Sequence, residues 1–336
     1  MSPEASASEW ESEATKEIRF LYDTYGQRKA MGQAASSPKL PHYFLQRCFL
    51  EDNDLLVILN TKRCRYRCPF CNLPAKSSQT MIAAADIIDQ FLYVCREVRH
   101  SLSVIDRVTL SNEGSVLDED TLPKEALRVI ISCISEIRSA RCVVLETRLE
   151  FVRPDEVKQL TAGLHRLHTD ILTGFETRDG TIREHVLAKG ESIQEFEAGL
   201  DAVRAAGCSL TAFVLFKPDP RMTDRDAVAE ADRSIKYLQR ECTAREISLT
   251  IRLNPMYRAA GTPWEKLALT KGGFLPPRLT DVLDVAERAR QSGLRIYVGL
   301  SSEGLAGTDG TYMAREDFSR ELLRRAVRFN TPGGSV

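Results

Sequence analysis

Three cysteines form the densest concentration of chemistry in the sequence. Cys64-Arg65-Tyr66-Arg67-Cys68-Pro69-Phe70-Cys71 spaces its thiols C-x3-C-x2-C, on a loop that follows an apolar run directly. Thiolates are soft ligands and bind zinc or iron–sulfur clusters. Three on one tight loop hold three corners of a four-iron cubane. The fourth iron then stays open to another ligand, much as an open position separates catalytic from structural zinc. A structural zinc site wants a fourth Cys or His at short range, and none follows; His100 is the next histidine. Zinc, or thiols without metal, are the alternatives to an iron–sulfur site. Cys48, Cys95, Cys133, Cys142, Cys208 and Cys242 contain no second C-x2-C pair and read as buried thiols, so a second cluster is not expected.

Polar residues recur at the ends of the later apolar runs. The second ends in Ser111-Asn112-Glu113-Gly114-Ser115, the third in Leu145-Glu146-Thr147-Arg148. The fourth ends in Gly174-Phe175-Glu176-Thr177, with Arg183 and Lys189-Gly190 beyond it, and the fifth in Lys217-Pro218. Arg252 and Asn254 lie on the sixth; Ser301, Ser302 and Glu303 follow the seventh. Carboxylates at such ends suit an ammonium ligand, and basic side chains suit a carboxylate or phosphate. Lys62, Arg63, Arg65 and Arg67 surround the cysteines. They read either as a solvated loop or as a mouth that attracts a phosphate-bearing nucleotide or sugar.

These groups need a scaffold that brings strand ends together. Residues 55–59 are a continuous apolar run, as for a strand covered on both faces. Further strands are expected at 105–110, 142–146, 171–175, 210–216, 249–253 and 294–299. Helical spacing occupies 81–98, 123–138, 154–163, 193–206, 225–241 and 279–292, with a last charged helix at 314–328. Gly207 and Gly293 stand just before strands, where helix C-terminal glycines belong. Strand–helix alternation over this length implies a parallel sheet. The expected class is α/β, a partial (β/α)6-type TIM barrel with short N- and C-terminal extensions, its chemistry on the loops after the strands. An open doubly wound sheet is the alternative. The division expected is 1–50, a partly disordered extension with a helix at 17–33 and a loop at 34–38; 51–300, the barrel; and 301–336, an extension with the final helix and a frayed tail.

Composition narrows the class further. In 336 residues, 46 Lys and Arg face 47 Asp and Glu, for a formal net charge of -1. That balance argues against a protein that coats nucleic acid by bulk charge. No apolar run approaches the roughly 18 residues of a membrane span. The Ser/Ala/Glu-rich start lacks a signal-peptide pattern, so a cytoplasmic location is expected.

The cysteine spacing, with the aromatic Phe70 before the last thiol, resembles the signature of the radical S-adenosylmethionine (SAM) superfamily. The resemblance extends more weakly over residues 50–300. It implies that Cys64, Cys68 and Cys71 bind a 4Fe-4S cluster and that SAM chelates the open iron. Reductive cleavage of SAM then gives a 5′-deoxyadenosyl radical that takes hydrogen from a substrate. The strand ends Glu146-Thr147-Arg148, Gly174-Phe175-Glu176-Thr177 and Lys217-Pro218 are similar to those of the elongator catalytic subunit and the archaeosine-synthase radical subunit. Two departures matter: those relatives have a wider gap between their first two cluster cysteines, and this chain ends before an acetyltransferase domain would follow.

By that resemblance Phe70 packs beside the cofactors, and Glu113 with Asn112 holds the SAM ammonium. Arg148, Arg183 or Lys189 meets its carboxylate, and Glu146 or Glu176 binds its ribose. Lys217, Arg252, Asn254, Ser302 and Glu303 are substrate-side candidates. The reading is an enzyme acting on a small molecule, with an electron donor such as flavodoxin or ferredoxin and no membrane partner. A tRNA-base-modifying enzyme is the runner-up, and a zinc-binding interaction module is the rival from another class.

Overall fold

The computed structural model describes residues 37–71, 73, 77–112, 114–162, 166–259, 261–270, 274–300, 315 and 319–331, and the backbone of 27–28. Its core is one sheet in sequential order. Seven strands run parallel: β3 (Asp52–Leu59), β4 (Arg107–Asn112), β5 (Cys142–Glu146), β6 (His168–Glu176), β7 (Ser209–Phe216), β8 (Leu249–Pro255) and β9 (Arg295–Val298). Helices α1 (Ala84–Glu97), α2 (Lys124–Ser135), α3 (Pro154–Leu160), α4 (Ile193–Ala206), α5 (Asp224–Ala244) and α7 (Leu279–Gln291) alternate with them. The longer helices bury apolar stripes, for example Ile87, Phe91 and Val94 of α1. Gly207 ends α4 in the left-handed region at φ 75, as its place before a strand implied. The partial TIM barrel expected from the sequence is therefore present, with one parallel strand more than a (β/α)6 core.

The N-terminal segment is part of the sheet. β2 (Tyr43–Phe49) pairs antiparallel with β3 through a two-residue turn in which Leu50 takes φ 56. The backbone of β1 (Gln27–Arg28) pairs with β2, so a strand stands where a helix over 17–33 was expected. Edge pairing has overridden local propensity there. The rest of that helix, and most of the 34–38 loop, lie outside the described residues.

The two ends of the sheet meet below. Phe49 of β2 stacks on Tyr297 of β9 at 4.7 Å, and Arg295 pairs with Glu51 at 3.0 Å. Under the barrel axis lies a buried ionic ladder. Arg47 donates to Asp54 (2.8 Å), Arg107 to Asp170 (3.1 Å), and Thr109 and Thr211 donate to the same carboxylates. Both arginines also lie against the Phe49 ring. Ring, ladder and hairpin floor the barrel.

Two further elements were not expected. α6 (Pro263–Thr270) follows β8, and a π-helical turn (Ile182–Val186) follows β6. The final helix, α8, spans Arg320–Asn330. Its Asn330 amide donates to the Val298 carbonyl (2.7 Å) and accepts from the Val298 N–H (2.8 Å), which covers the free edge of β9. No helix among the described residues is long and apolar enough to cross a membrane.

Candidate functional site

The open end of the barrel holds a cavity of about 310 Å³ ringed by the C-terminal ends of the parallel strands. That is where barrel chemistry belongs. Cys64, Cys68 and Cys71 line one wall together with Phe70. The Cys71 N–H donates to the Cys68 carbonyl at 3.0 Å, which curls the loop tightly between the last two thiols. Gly114 permits the approach of the first: a Cβ there would lie 3.2 Å from the Cys64 Cβ. Burial pushes the Cys64 and Cys68 thiols up, while Lys189 and Arg148 pull Cys68 the other way. Such cations favour the thiolate that a metal needs.

Among the described residues, no three His, Cys, Asp or Glu side chains are gathered as ligands of a single metal ion. A cubane takes each thiolate at a separate iron corner, so three thiols spread along one cavity wall fit a cluster.

Beside the thiols sits a dry charged group. Glu176, at φ 72, turns its carboxylate back over Gly174, and a side chain at 174 would collide with it. Lys189 is 4% exposed and lines the same wall, 3.6 Å from Glu191. Burial pushes the Glu176 carboxyl up and the Lys189 ammonium down, and their mutual attraction opposes both shifts. Arg148 reaches the cavity but spends most of its guanidinium on structure. It donates to the carbonyls of Lys189 (2.9 Å) and Gly190 (3.1 Å) and lies 3.8 Å over the Tyr66 ring. Its Nε is buried with no hydrogen-bond partner.

A second set of polar side chains also lines the cavity. Glu146 faces Ser111, Arg252 and Arg47, and burial raises its carboxyl against their combined pull. Arg252 lies against the rings of Phe213 (5.1 Å) and Tyr297 (5.7 Å). Asn254 belongs to the same set, with its Oδ1 buried and no hydrogen-bond partner. Gly299 leaves them room: a Cβ there would collide with the Asn254 amide and lie 3.2 Å from the Arg252 Nε. Tyr257, its phenol pushed up to about 12 by burial, also lines the cavity, facing Cys71 and Arg252.

Glu146 and Glu176 end the neighbouring strands β5 and β6 and both line the cavity, Glu146 facing Arg252 and Arg47 and Glu176 facing Lys189. Asn112 lines the cavity, but its amide is committed to Thr61, Ser115 and Thr121, shaping the turn after β4. Two candidates are corrected. Arg183 is fully buried outside the cavity, between Phe175 and Phe196, donating to Glu191 and to the Phe175 carbonyl. Lys217 points away, toward Asp224 (3.1 Å) and the Phe274 ring. The basic mouth is also weaker than its sequence implied, because Arg65 pairs with Asp118 (2.6 Å) and Asp120 (2.7 Å). Glu113, Ser301, Ser302 and Glu303 lie outside the described residues. Sequence reasoning missed Arg47, Phe213 and Tyr257 on the cavity wall. The polar turn Glu51-Asp52-Asn53 between two apolar runs was an available signal for the hairpin that delivers Arg47.

No protein-family model matches the chain. An uncharacterised protein of Methanocaldococcus jannaschii is 24% identical over 293 residues, 85% of this chain and 78% of that protein. Archaeosine synthase subunit beta of Thermococcus kodakarensis is 24% identical over 281 residues, 82% of this chain and 84% of its own length. Among solved structures, SuiB of Streptococcus suis bound to S-adenosylmethionine superposes with a TM-score of 0.50 at 12% identity, covering 77% of this chain and 52% of that one. Archaeal Elp3 of Methanocaldococcus infernus superposes with a TM-score of 0.50 at 13% identity, covering 70% and 57%. The chain therefore spans little more than half the length of these two solved chains.

Proposed function

The chain carries the radical SAM fold, and from that premise we propose that it is a radical SAM enzyme acting on a small polar substrate. One observation carries the reading: three thiols in the C-x3-C-x2-C spacing line one cavity with the buried Glu176 and Lys189 and with a second polar set, Glu146, Arg252 and Asn254. Cys64, Cys68 and Cys71 would hold a 4Fe-4S cluster. Lys189 and the unpartnered Nε of Arg148 would meet the SAM carboxylate, and Glu176 its ribose hydroxyls. Glu113, by its place after β4, would take the ammonium. When bound, cluster and SAM supply a reductively generated 5′-deoxyadenosyl radical that removes a hydrogen atom from the substrate.

The chain's own contribution is orientation and dryness. The SAM carboxylate would give Lys189 a second anionic partner beside Glu191, so its ammonium stays matched when the ligand enters. Glu146, Arg252 and Asn254 would anchor the substrate in the same cavity, within reach of a radical formed at the thiol side. The Phe49–Tyr297 closure and the ladder beneath it exclude water from below, as a reactive intermediate requires. The reductant would be a flavodoxin- or ferredoxin-type donor.

The similarity to archaeosine synthase subunit beta favours a second reading, a tRNA-base-modifying enzyme. The test is anaerobic reconstitution followed by two titrations. Iron and sulfide near four per chain, with SAM binding lost in Lys189→Met, support the proposal; zinc without sulfide overturns it. Binding of tRNA with a steep inverse dependence on salt selects the second reading over the first.

A further inference from the structure

We propose that Trp264 is a positioning residue for the cysteine loop: it ties residues 69–70, and through them Cys68 and Cys71, to the ends of β7 and β8. The inference rests on the functional reading above only in naming what the loop holds. Trp264 is 1% exposed and opens α6 directly over the loop. Its backbone N–H donates to the Pro69 carbonyl at 3.0 Å. Its indole Nε1 donates to the Pro218 carbonyl, just past β7, at 2.8 Å. Its ring meets Phe274 edge-on at 5.0 Å and packs in one cluster with Leu215, Met256 and Phe70.

Each contact has a chemical reason. An indole only donates, and a buried one needs an acceptor. Pro69 has no N–H, so its carbonyl is the one backbone hydrogen-bonding group through which that residue can be held. On the other side of the loop Arg148 stacks on Tyr66. The loop is thus braced at both flanks, and the Trp264 brace runs to the strands that carry Phe213, Arg252 and Asn254. Groups that orient metal ligands from behind set site integrity almost as strongly as the ligands.

The experiment is hydrogen exchange by mass spectrometry on the full metal-free chain, reading a peptide over residues 64–71. Trp264→Phe keeps a ring and loses the donor; exchange there rises about fivefold, the change expected for one net hydrogen bond. Trp264→Ala raises it more than about a hundredfold, as loss of a buried Trp ring implies. Peptides over α1 and α2 stay at wild-type rates in Trp264→Phe. Phe91→Leu, deep in α1, lowers Tm and leaves the loop peptide unchanged. In the reconstituted protein both Trp264 variants release iron to a chelator faster, in the same order. Acceleration spread evenly over the chain, or a wild-type loop rate in Trp264→Phe and Trp264→Ala, overturns the proposal. A wild-type chain that takes up no cluster overturns the functional reading instead, and the exchange result still decides the role of Trp264.

Discussion

Replacing Arg183 with Met separates the two roles a buried arginine near this site can have. Its guanidinium is fully buried between Phe175 and Phe196, and its partners are the Glu191 carboxylate, the Glu191 carbonyl and the Phe175 carbonyl. Methionine fills much of the stem volume but leaves Glu191 buried without its main counter-charge. Breaking a buried pair by removing one partner costs about 3–5 kcal/mol. Lys189 already stands 3.6 Å from Glu191 and leaves it partly compensated without moving, which sets the expectation at the low end, about 3 kcal/mol. At about 2 °C per kcal/mol for a large domain, Tm falls by about 6 °C. SAM affinity, measured by calorimetric titration below that temperature, stays within about twofold of wild type, since Arg183 does not reach the cavity. A variant that keeps its Tm and loses SAM binding would refute this account and return Arg183 to the cofactor site.

Gly174→Ala drives a methyl group into the Glu176 carboxylate and to 3.3 Å from Lys189 Nζ, so SAM affinity drops about tenfold or more while far-ultraviolet circular dichroism is unchanged. Gly114→Ala presses on Cys64 at 3.2 Å, and iron per chain after reconstitution and gel filtration falls below wild type. Asp224 gives a pH signature. Burial raises its carboxyl, but hydrogen bonds from Arg315 (2.7 Å) and Lys217 (3.1 Å) outweigh this and hold it below the ordinary value. A depressed folded-state pKa stabilises the fold above the unfolded value, about 3.9, and that stabilisation is lost as pH falls through the folded value. Melting curves of Asp224→Asn therefore lose less stability than wild type on descending from about pH 5 to pH 3.

The sequence made the scaffold legible where burial and periodicity agree. The run Leu55-Leu56-Val57-Ile58-Leu59 is buried throughout, and β5 and α4 fall on the residues their patterns indicated. The thiol loop was legible because its spacing is chemistry in itself. Periodicity says that a side chain is buried, not which wall it joins. Arg183 was a candidate by its place after the fourth strand, which does not tell that the turn at 182–186 buries it between Phe175 and Phe196. Lys217 was misread for a similar reason: its positive φ of 67 reverses the chain at the end of β7, toward Asp224. Arg47 was missed because β2 precedes the repeating unit and joins the sheet antiparallel, outside the strand–helix alternation.

The central claim is that the three-thiol cavity supports radical cleavage of SAM. The most direct measurement is anaerobic: reconstitute the chain with iron and sulfide, add dithionite and SAM, and quantify 5′-deoxyadenosine by mass spectrometry beside Cys68→Ala. The account predicts 5′-deoxyadenosine from wild type and none above background from the variant. A wild-type chain that carries a full cluster and bound SAM yet yields no more than Cys68→Ala contradicts it.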